Sequence, residues 1–372
     1  MPLIRYTEAS QPAPLTRTTP EGILIHACAE AMPNLPPARF VRMPQTGEIY
    51  ALECDFPSDG RAGQVLVSRD EGATWEPVSP IGGDLGLVPS DSGALTATRE
   101  GTLVVAFANQ GEMARPREWD PAHKGDLGWR EPTWVARSLD RGRTWQDCQM
   151  LHEDWTGAVR DMIQTRDGRI VFSSMKLLAD PGRHAVLTYG SDDDGRTWSA
   201  GNLIDLGGIG HHGGVSEPTL IECRDGRLMM LIRTNWGQFW RAFSTDGGRH
   251  WHPYGPAGID ASSAPGALLR LHDGRIALAW NREYPEGSKD VALRGGDGIW
   301  SATPASNFRR ELSLSFSSDD CETWTPPVVV ARHPEREISY PLSVRAGTRP
   351  AWITACRLKD VLLRMSLRIE AL

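Results

Sequence analysis

Cysteine is scarce and scattered in these 372 residues: six, at positions 28, 54, 148, 223, 321 and 356, with no Cys-x-x-Cys pair. That spacing argues against a disulfide framework and against a zinc site, and a reduced, cytoplasmic setting is expected. A basic tract is also lacking. Lys and Arg (40) are outnumbered by Asp and Glu (47), the two signs are interspersed, and the net charge is −7, so nucleic acid is not expected as a partner. No apolar run reaches the ~20 residues of a membrane span. The opening MPLIRYTEASQPAPLTRTTPEG has no long apolar run behind a basic start, which argues against a secretory signal and leaves no expected membrane partner. Tyrosine is rare too, with six in the chain.

Glycine (38), proline (27) and tryptophan (14) are abundant instead. Many turns and many aromatic anchors point to an all-β protein. The tryptophans recur in one setting. SRDEGATWEP from Ser68, SLDRGRTWQD from Ser138, SDDDGRTWSA from Ser191, STDGGRHWHP from Ser244 and SSDDCETWTP from Ser317 all fit Ser-x-Asp-x-Gly-x-Thr-Trp. His250 replaces Thr in the fourth and Cys321 replaces Gly in the fifth. The Asp positions, 70, 140, 193, 246 and 319, are separated by 70, 53, 53 and 73 residues, and a period near fifty is the mark of a propeller or solenoid. Between the boxes lie apolar runs hinged on a Gly turn: MIQTRDGRIVFSSM (162–175), TLIECRDGRLMMLIR (219–233), ALLRLHDGRIALAW (267–280), ALTATREGTLVVAF (94–107) and RFVRMPQTGEIYAL (39–52). Each reads as a β-hairpin. In the boxes, Ser and Asp side chains can bond nearby backbone N–H groups while Gly supplies a left-handed residue.

These five boxes resemble the Asp-box (BNR) repeats of the sialidase-like superfamily. The resemblance spans roughly residues 35–365 and implies a single six-bladed β-propeller domain over 1–372. A sixth, weaker unit follows Ser339, and the N-terminal segment is expected to help close the ring. In the family the boxes lie on the rim away from the active site, so they identify a fold and not a function.

The resemblance further implies a sialidase-type site: arginines that grip a carboxylate bidentately, a Tyr nucleophile with a Glu to take up its proton, and a separate Asp as acid and base. SEPTLIECRDGRLMMLIRT (216–234) is similar to the segment with the Tyr-activating Glu, here Glu217, and a carboxylate-binding arginine sixteen residues on, here Arg233. Both fall at one end of one hairpin. NFRRELSLSFSSDDCETW (307–324) resembles the strand that carries another arginine, Arg309. Its neighbour Arg310 would point to the other face. EISYPLSV (337–344) resembles the nucleophile segment and supplies Tyr340. VRMP (41–44) imitates the family's Arg-Ile-Pro, but Arg42 is too close to the turn at Gly47, and Arg39 is taken as the remaining arginine. The acid is sought in ECDFPSDGRAG (53–63), with Asp59 first and Asp55 second. Three features have no family counterpart but would face the same mouth: His211 and His212, Arg160 and Asp161, and Asn281 and Arg282. No metal and no cofactor are assigned.

The expected function is therefore a retaining exo-glycosidase that removes a terminal sialic acid or similar acidic sugar. A related enzyme on another ulosonic or uronic acid is the alternative, and a non-catalytic propeller that binds glycan or protein is a third reading. Linkage, aglycone and oligomeric state are not encoded in these motifs.

Overall fold

The computed structural model describes residues 14–36, 38–53, 64–82, 85–90, 93–120, 127–345, 351–355 and 363–368. Among them the fold is all-β, with helix confined to 3-10 turns such as Gln110–Glu112. Six antiparallel sheets are arranged as the blades of a propeller. Blade I consists of Ala38–Arg42, Ile49–Glu53, Gln64–Ser68 and Glu76–Pro80. Blade II is Ala94–Ala97, Leu103–Ala108, Arg130–Ser138 and Gln146–Asp154, and blade III is Met162–Gln164, Ile170–Leu178, Arg183–Ser191 and Ser199–Ala200. Blade IV is Val215–Glu222, Leu228–Thr234, Gln238–Ser244 and Tyr254–Asp260.

The last two blades take strands from the beginning of the chain. Blade V runs Ala267–Arg270, Ile276–Trp280, Glu311–Ser317, Val328–Arg332, and is extended outward by Leu24–His26 and then Leu15–Thr18. Blade VI pairs Pro341–Arg345, Ala351–Ala355 and Leu363–Leu367 with Ala29–Ala31 as its outer strand. Two edges that would otherwise present unpaired backbone groups are thus covered by the same N-terminal segment.

Alternation along the strands supplies the glue between blades. In Leu103–Ala108 every residue is buried. Leu103, Val105 and Phe107 pack with Tyr50, Leu52, Val65 and Val67 of blade I. Val104 and Ala106 point the other way, onto Ile170 and Phe172 of blade III. A strand with apolar neighbours on both faces has no solvent side, so it reads as a continuous apolar run rather than a two-residue period. The same arrangement joins blades III and IV through Val171, Val186, Leu220 and Met230, and blades V and VI through Leu312, Leu314, Ile353 and Met365.

All five Ser-x-Asp segments form the hairpin between the third and fourth strands of a blade, with one bonding scheme. In the third, Ser191 Oγ donates to Asp193 Oδ1 (2.9 Å) and accepts from Gly195 N (2.9 Å), while Asp193 accepts from Thr197 N (2.8 Å) and Thr197 Oγ1 (2.7 Å). The exceptions keep the scheme. His250 Nδ1 takes the place of the Thr hydroxyl at 2.6 Å from Asp246 Oδ2. Cys321 occupies the left-handed position, φ +70°, and its N–H still reaches Ser317 Oγ at 2.9 Å.

Candidate active site

Strand direction decides which side chains can meet. In a four-stranded meander, the first strand begins, the second ends and the third begins at one end of the blade. The Ser-x-Asp hairpins lie at the opposite end. Tyr340 precedes the first strand of blade VI, Arg233 is near the end of the second strand of blade IV, and Arg309 precedes the third strand of blade V. All three therefore fall on the mouth side, around the axis.

Glu217 and Arg233 come together because Ser216 is paired with Arg233 across the blade IV hairpin. A register shift between Ser216 and Thr219 and a positive φ of +44° at Glu217 turn its carboxylate toward the guanidinium. Both side chains are buried, 8% and 4% exposed, and Arg233 Nη1 donates to Glu217 Oε2. The same nitrogen donates to the Tyr340 hydroxyl oxygen at 3.3 Å. Burial by itself pushes the Glu217 carboxyl up. Arg233, then Arg160 and Arg309, outweigh that and hold it below the ordinary carboxylate range. The carboxylate is therefore the resident form, available to accept a proton.

Arg309 is 2% exposed and donates from Nη2 to the Ser263 carbonyl. Its Nη1 is 3.9 Å from Glu337 and its guanidinium carbon lies over the Tyr340 ring, 5.4 Å from the centroid. Arg310 is exposed and bonded to the Pro334 carbonyl (2.9 Å), so alternation does separate the two arginines. Tyr340 is itself left-handed, φ +59°. Its approach is fixed by Ile338, whose N–H reaches the Arg309 carbonyl (2.7 Å) and whose carbonyl accepts from Asn281 Nδ2 (2.9 Å). Arg39 sits on the inner strand of blade I, paired with Leu52, and lines the central cavity. Arg42, three residues nearer the turn than Arg39, is held by the Gly47 carbonyl (2.6 Å) and by Glu71 (2.7 Å). Asp59 and Asp55 lie outside the described residues, as does the turn that carries them.

The features without family counterparts divide. Asp161 is spent on structure: its Oδ2 accepts from Thr219 Oγ1 (2.6 Å) and Leu220 N (2.9 Å), tying blade III to blade IV. Arg282 is paired with buried Asp260 at 3.4 Å. His211 and His212 contact each other through their Nδ1 atoms (2.7 Å), and the His212 carbonyl accepts from Asn235 Nδ2 (2.7 Å). Burial lowers the pKa of both. Among the described residues no three His, Cys, Asp or Glu side chains are grouped to hold a metal ion.

Sequence reading missed Ser263 and Asn235. Ser263 Oγ accepts from Arg233 Nη2 (2.9 Å) and donates to Asn235 Oδ1 (2.6 Å), while its carbonyl takes Arg309. One serine therefore sets two arginines. Its place, four residues before the inner strand of blade V, was the available signal, since that is where the chain enters the mouth.

The BNR repeat-like domain family matches residues 125–350. The sialidase of Micromonospora viridifaciens is 28% identical over 278 residues, which are 69% of this chain and 39% of that protein, so the chain spans well under half the length of this relative. A protein of unknown function from Dyadobacter fermentans has a similar structure, with a TM-score of 0.61 and 18% identity over 94% of this chain and all of that one. The Trypanosoma rangeli sialidase, solved as the covalent intermediate with 2,3-difluorosialic acid, superposes with a TM-score of 0.55 at 14% identity, over 97% of this chain and 57% of that one. At these identities the two structures speak for the fold.

Proposed function

The chain belongs to the BNR repeat-like domain family, and on that premise we propose that it is a retaining exo-glycosidase of the sialidase type, acting on a terminal sialic acid or a similar acidic sugar. The observation that carries the reading is the meeting of Glu217, Arg233 and Tyr340 at one guanidinium nitrogen. A serine or threonine in place of Tyr340 would leave a propeller with a charged mouth. A phenol beside an ionised, buried carboxylate is a nucleophile with its base.

In the proposed reaction Arg233, Arg309 and Arg39 hold the sugar carboxylate. The Tyr340 oxygen attacks the anomeric carbon as the glycosidic C–O bond breaks, and its proton passes to Glu217. Asp59, whose role rests on the family resemblance, protonates the departing oxygen. Water then attacks the glycosyl–tyrosine, losing its proton to Asp59, and the bond to Tyr340 breaks with the proton returned from Glu217. Two displacements at one carbon retain its configuration. Burial of the ion pairs matters here, because a desolvated guanidinium stabilises developing negative charge better than a hydrated one.

The test is hydrolysis of 4-methylumbelliferyl sialoside, with ulosonic and uronic glycosides beside it. Release of fluorophore by the wild type and not by Tyr340→Phe is the expected result. Activity on none of these glycosides would remove the glycosidase reading and leave a binding propeller.

A further inference from the structure

His211 and His212 stand in the loop that leads into the first strand of blade IV, at the mouth end of that blade. Bonds from two sides hold the loop. His211 N and His212 N donate to the Ile299 and Trp300 carbonyls (3.0 and 2.8 Å), and Ala302 N donates back to the Ile209 carbonyl (2.8 Å). Residues 299–302 belong to the long connection between the second and third strands of blade V. Gly210 permits the approach, since a Cβ there would meet Ser301 Cα at 2.7 Å. On the other side Asn235, joined through Ser263 to Arg233, holds the His212 carbonyl. The two imidazole rings are half-buried, perpendicular (88°) and 4.6 Å apart. Trp119 lies edge-on to His211 (5.8 Å), and Trp300 packs on His212 (5.2 Å).

These contacts fix the ring protons. The His211 carbonyl can only accept, so His212 Nδ1, 2.9 Å from it, carries the hydrogen. His211 Nδ1, 2.7 Å from the same N–H, is then a bare nitrogen that shares it. Burial keeps His212 neutral, helped by Arg233, His211 and His184. Burial also lowers the pKa of His211, helped by Arg294 and Arg115 and opposed by Asp297. A neutral ring has one N–H, so His212 Nε2 is a bare acceptor. Among the described residues that nitrogen has no hydrogen-bond partner, and it is not sealed from solvent.

We propose that His212 is a specificity-determining residue whose Nε2 accepts a hydrogen bond from an uncharged donor on the substrate sugar. The donor is a hydroxyl or an amide N–H, and the step rests on the function proposed above. A neutral acceptor favours no further negative charge. It therefore sorts acidic sugars by their polar substituents and takes no part in holding the carboxylate.

The test begins on the protein alone. Nitrogen-15 imidazole spectra of histidine-labelled wild type are assigned by the signals lost in His212→Gln. They are expected to show His212 protonated at Nδ1, bare at Nε2 and neutral across about pH 5 to 8, where an ordinary histidine titrates. A ring that titrates in that range, or carries its hydrogen on Nε2, overturns the proposal. Hydrolysis of 4-methylumbelliferyl sialoside is then compared in wild type, His212→Phe and His212→Gln. Phenylalanine keeps a flat ring without the acceptor, and the glutamine amide oxygen can take the place of Nε2. kcat/KM is expected to fall about tenfold in His212→Phe and to recover in part in His212→Gln. His212→Leu replaces His212→Phe if the latter does not fold. No loss, or an equal loss in both variants, overturns the proposal, because His212 would then only brace the loop. The glycoside of the ulosonic acid with a hydroxyl in place of the acetamido group identifies the donor. A penalty confined to the sialoside assigns the amide N–H, and an equal penalty on both sugars assigns a hydroxyl. If the wild type binds these sugars without cleaving them, the same comparison is read as affinity by calorimetric titration. A wild type that neither cleaves nor binds any of them overturns this proposal together with the glycosidase reading. One that cleaves them with no penalty in His212→Phe overturns this proposal alone.

Discussion

The two ends of this propeller are built by opposite rules. At one end, five hairpins repeat a single scheme of four short bonds, all between residues two to four apart in sequence. It tolerates His for Thr and Cys for Gly because the His250 ring nitrogen stands in for the Thr hydroxyl and the Cys321 backbone N–H for that of Gly. At the mouth nothing repeats. Arg233 and Tyr340 are 107 residues apart, Arg160 and Pro341 181 apart. Glu217 and Tyr340 hold left-handed backbones that cost about 1–2 kcal/mol each for a side-chain-bearing residue. Local, redundant bonding makes a fold, and long-range, single-copy bonding makes a site. The first should survive single substitutions and the second should not.

The largest effect that would sharpen this contrast is at Tyr340. Tyr340→Phe keeps the ring and removes one oxygen, and turnover on the true substrate is expected to fall at least about a thousandfold, with ligand affinity retained. Glu217→Gln should fall by a similar order. Because both act on one step, the double variant is expected to be little worse than either. Independent, multiplying losses, measured in a double-mutant cycle, would dissolve the proposed pair. Arg233→Lys comes next. Lysine keeps the charge but not the fork that serves Glu217, Ser263 and Tyr340 together, and kcat/KM is expected to drop by about 2–3 kcal/mol in transition-state terms. An unchanged value would put Arg233 outside the chemistry.

Acid should reach the interior between the blades before it reaches the turns. Burial lowers the pKa of His152 and His184 to about 4. Below the ordinary histidine value of 6.5 the unfolded chain takes up these protons and the folded chain does not, so stability is complete above about 6.5 and is lost as pH falls toward 4. The loss is up to about 3 kcal/mol per histidine. Depressed carboxylates such as Asp193 and Glu217 work in the other window: their contribution is present above the unfolded value and lost only as pH falls below the ordinary carboxylate range. Denaturant titrations of wild type and His152→Gln between pH 7 and pH 4.5 check this, with a flatter profile expected of the variant. The smallest effect is at the rim. Cys321→Gly relieves a left-handed Cβ but removes a side chain that is 2% exposed in the cluster of Leu278 and Trp280. The terms oppose, and the melting temperature is expected to stay within a few degrees of wild type.

The same contrast explains what the sequence disclosed. The hairpin turns were legible because their residue types and spacing are the structure: Ser, Asp, Gly and Thr bond one another directly. Glu217 and Arg233 were legible as a pair because one hairpin holds both, so counting strand residues suffices. Tyr340 and Arg309 needed a family likeness, since no local rule says that blades IV, V and VI meet. Ser263 offered only its place four residues ahead of a strand, and what surrounds Arg160 was not legible from the chain. Which side chain fills the gap between two guanidiniums depends on the closing of the ring.

The most direct measurement is covalent trapping. The wild-type protein is incubated with a 2,3-difluorosialic acid probe and digested, and the modified peptide is sequenced by mass spectrometry. One glycosyl adduct is expected, on Tyr340, formed slowly or not at all in Glu217→Gln and absent from Tyr340→Phe. An adduct on any other residue, or full labelling of Tyr340→Phe, would contradict it.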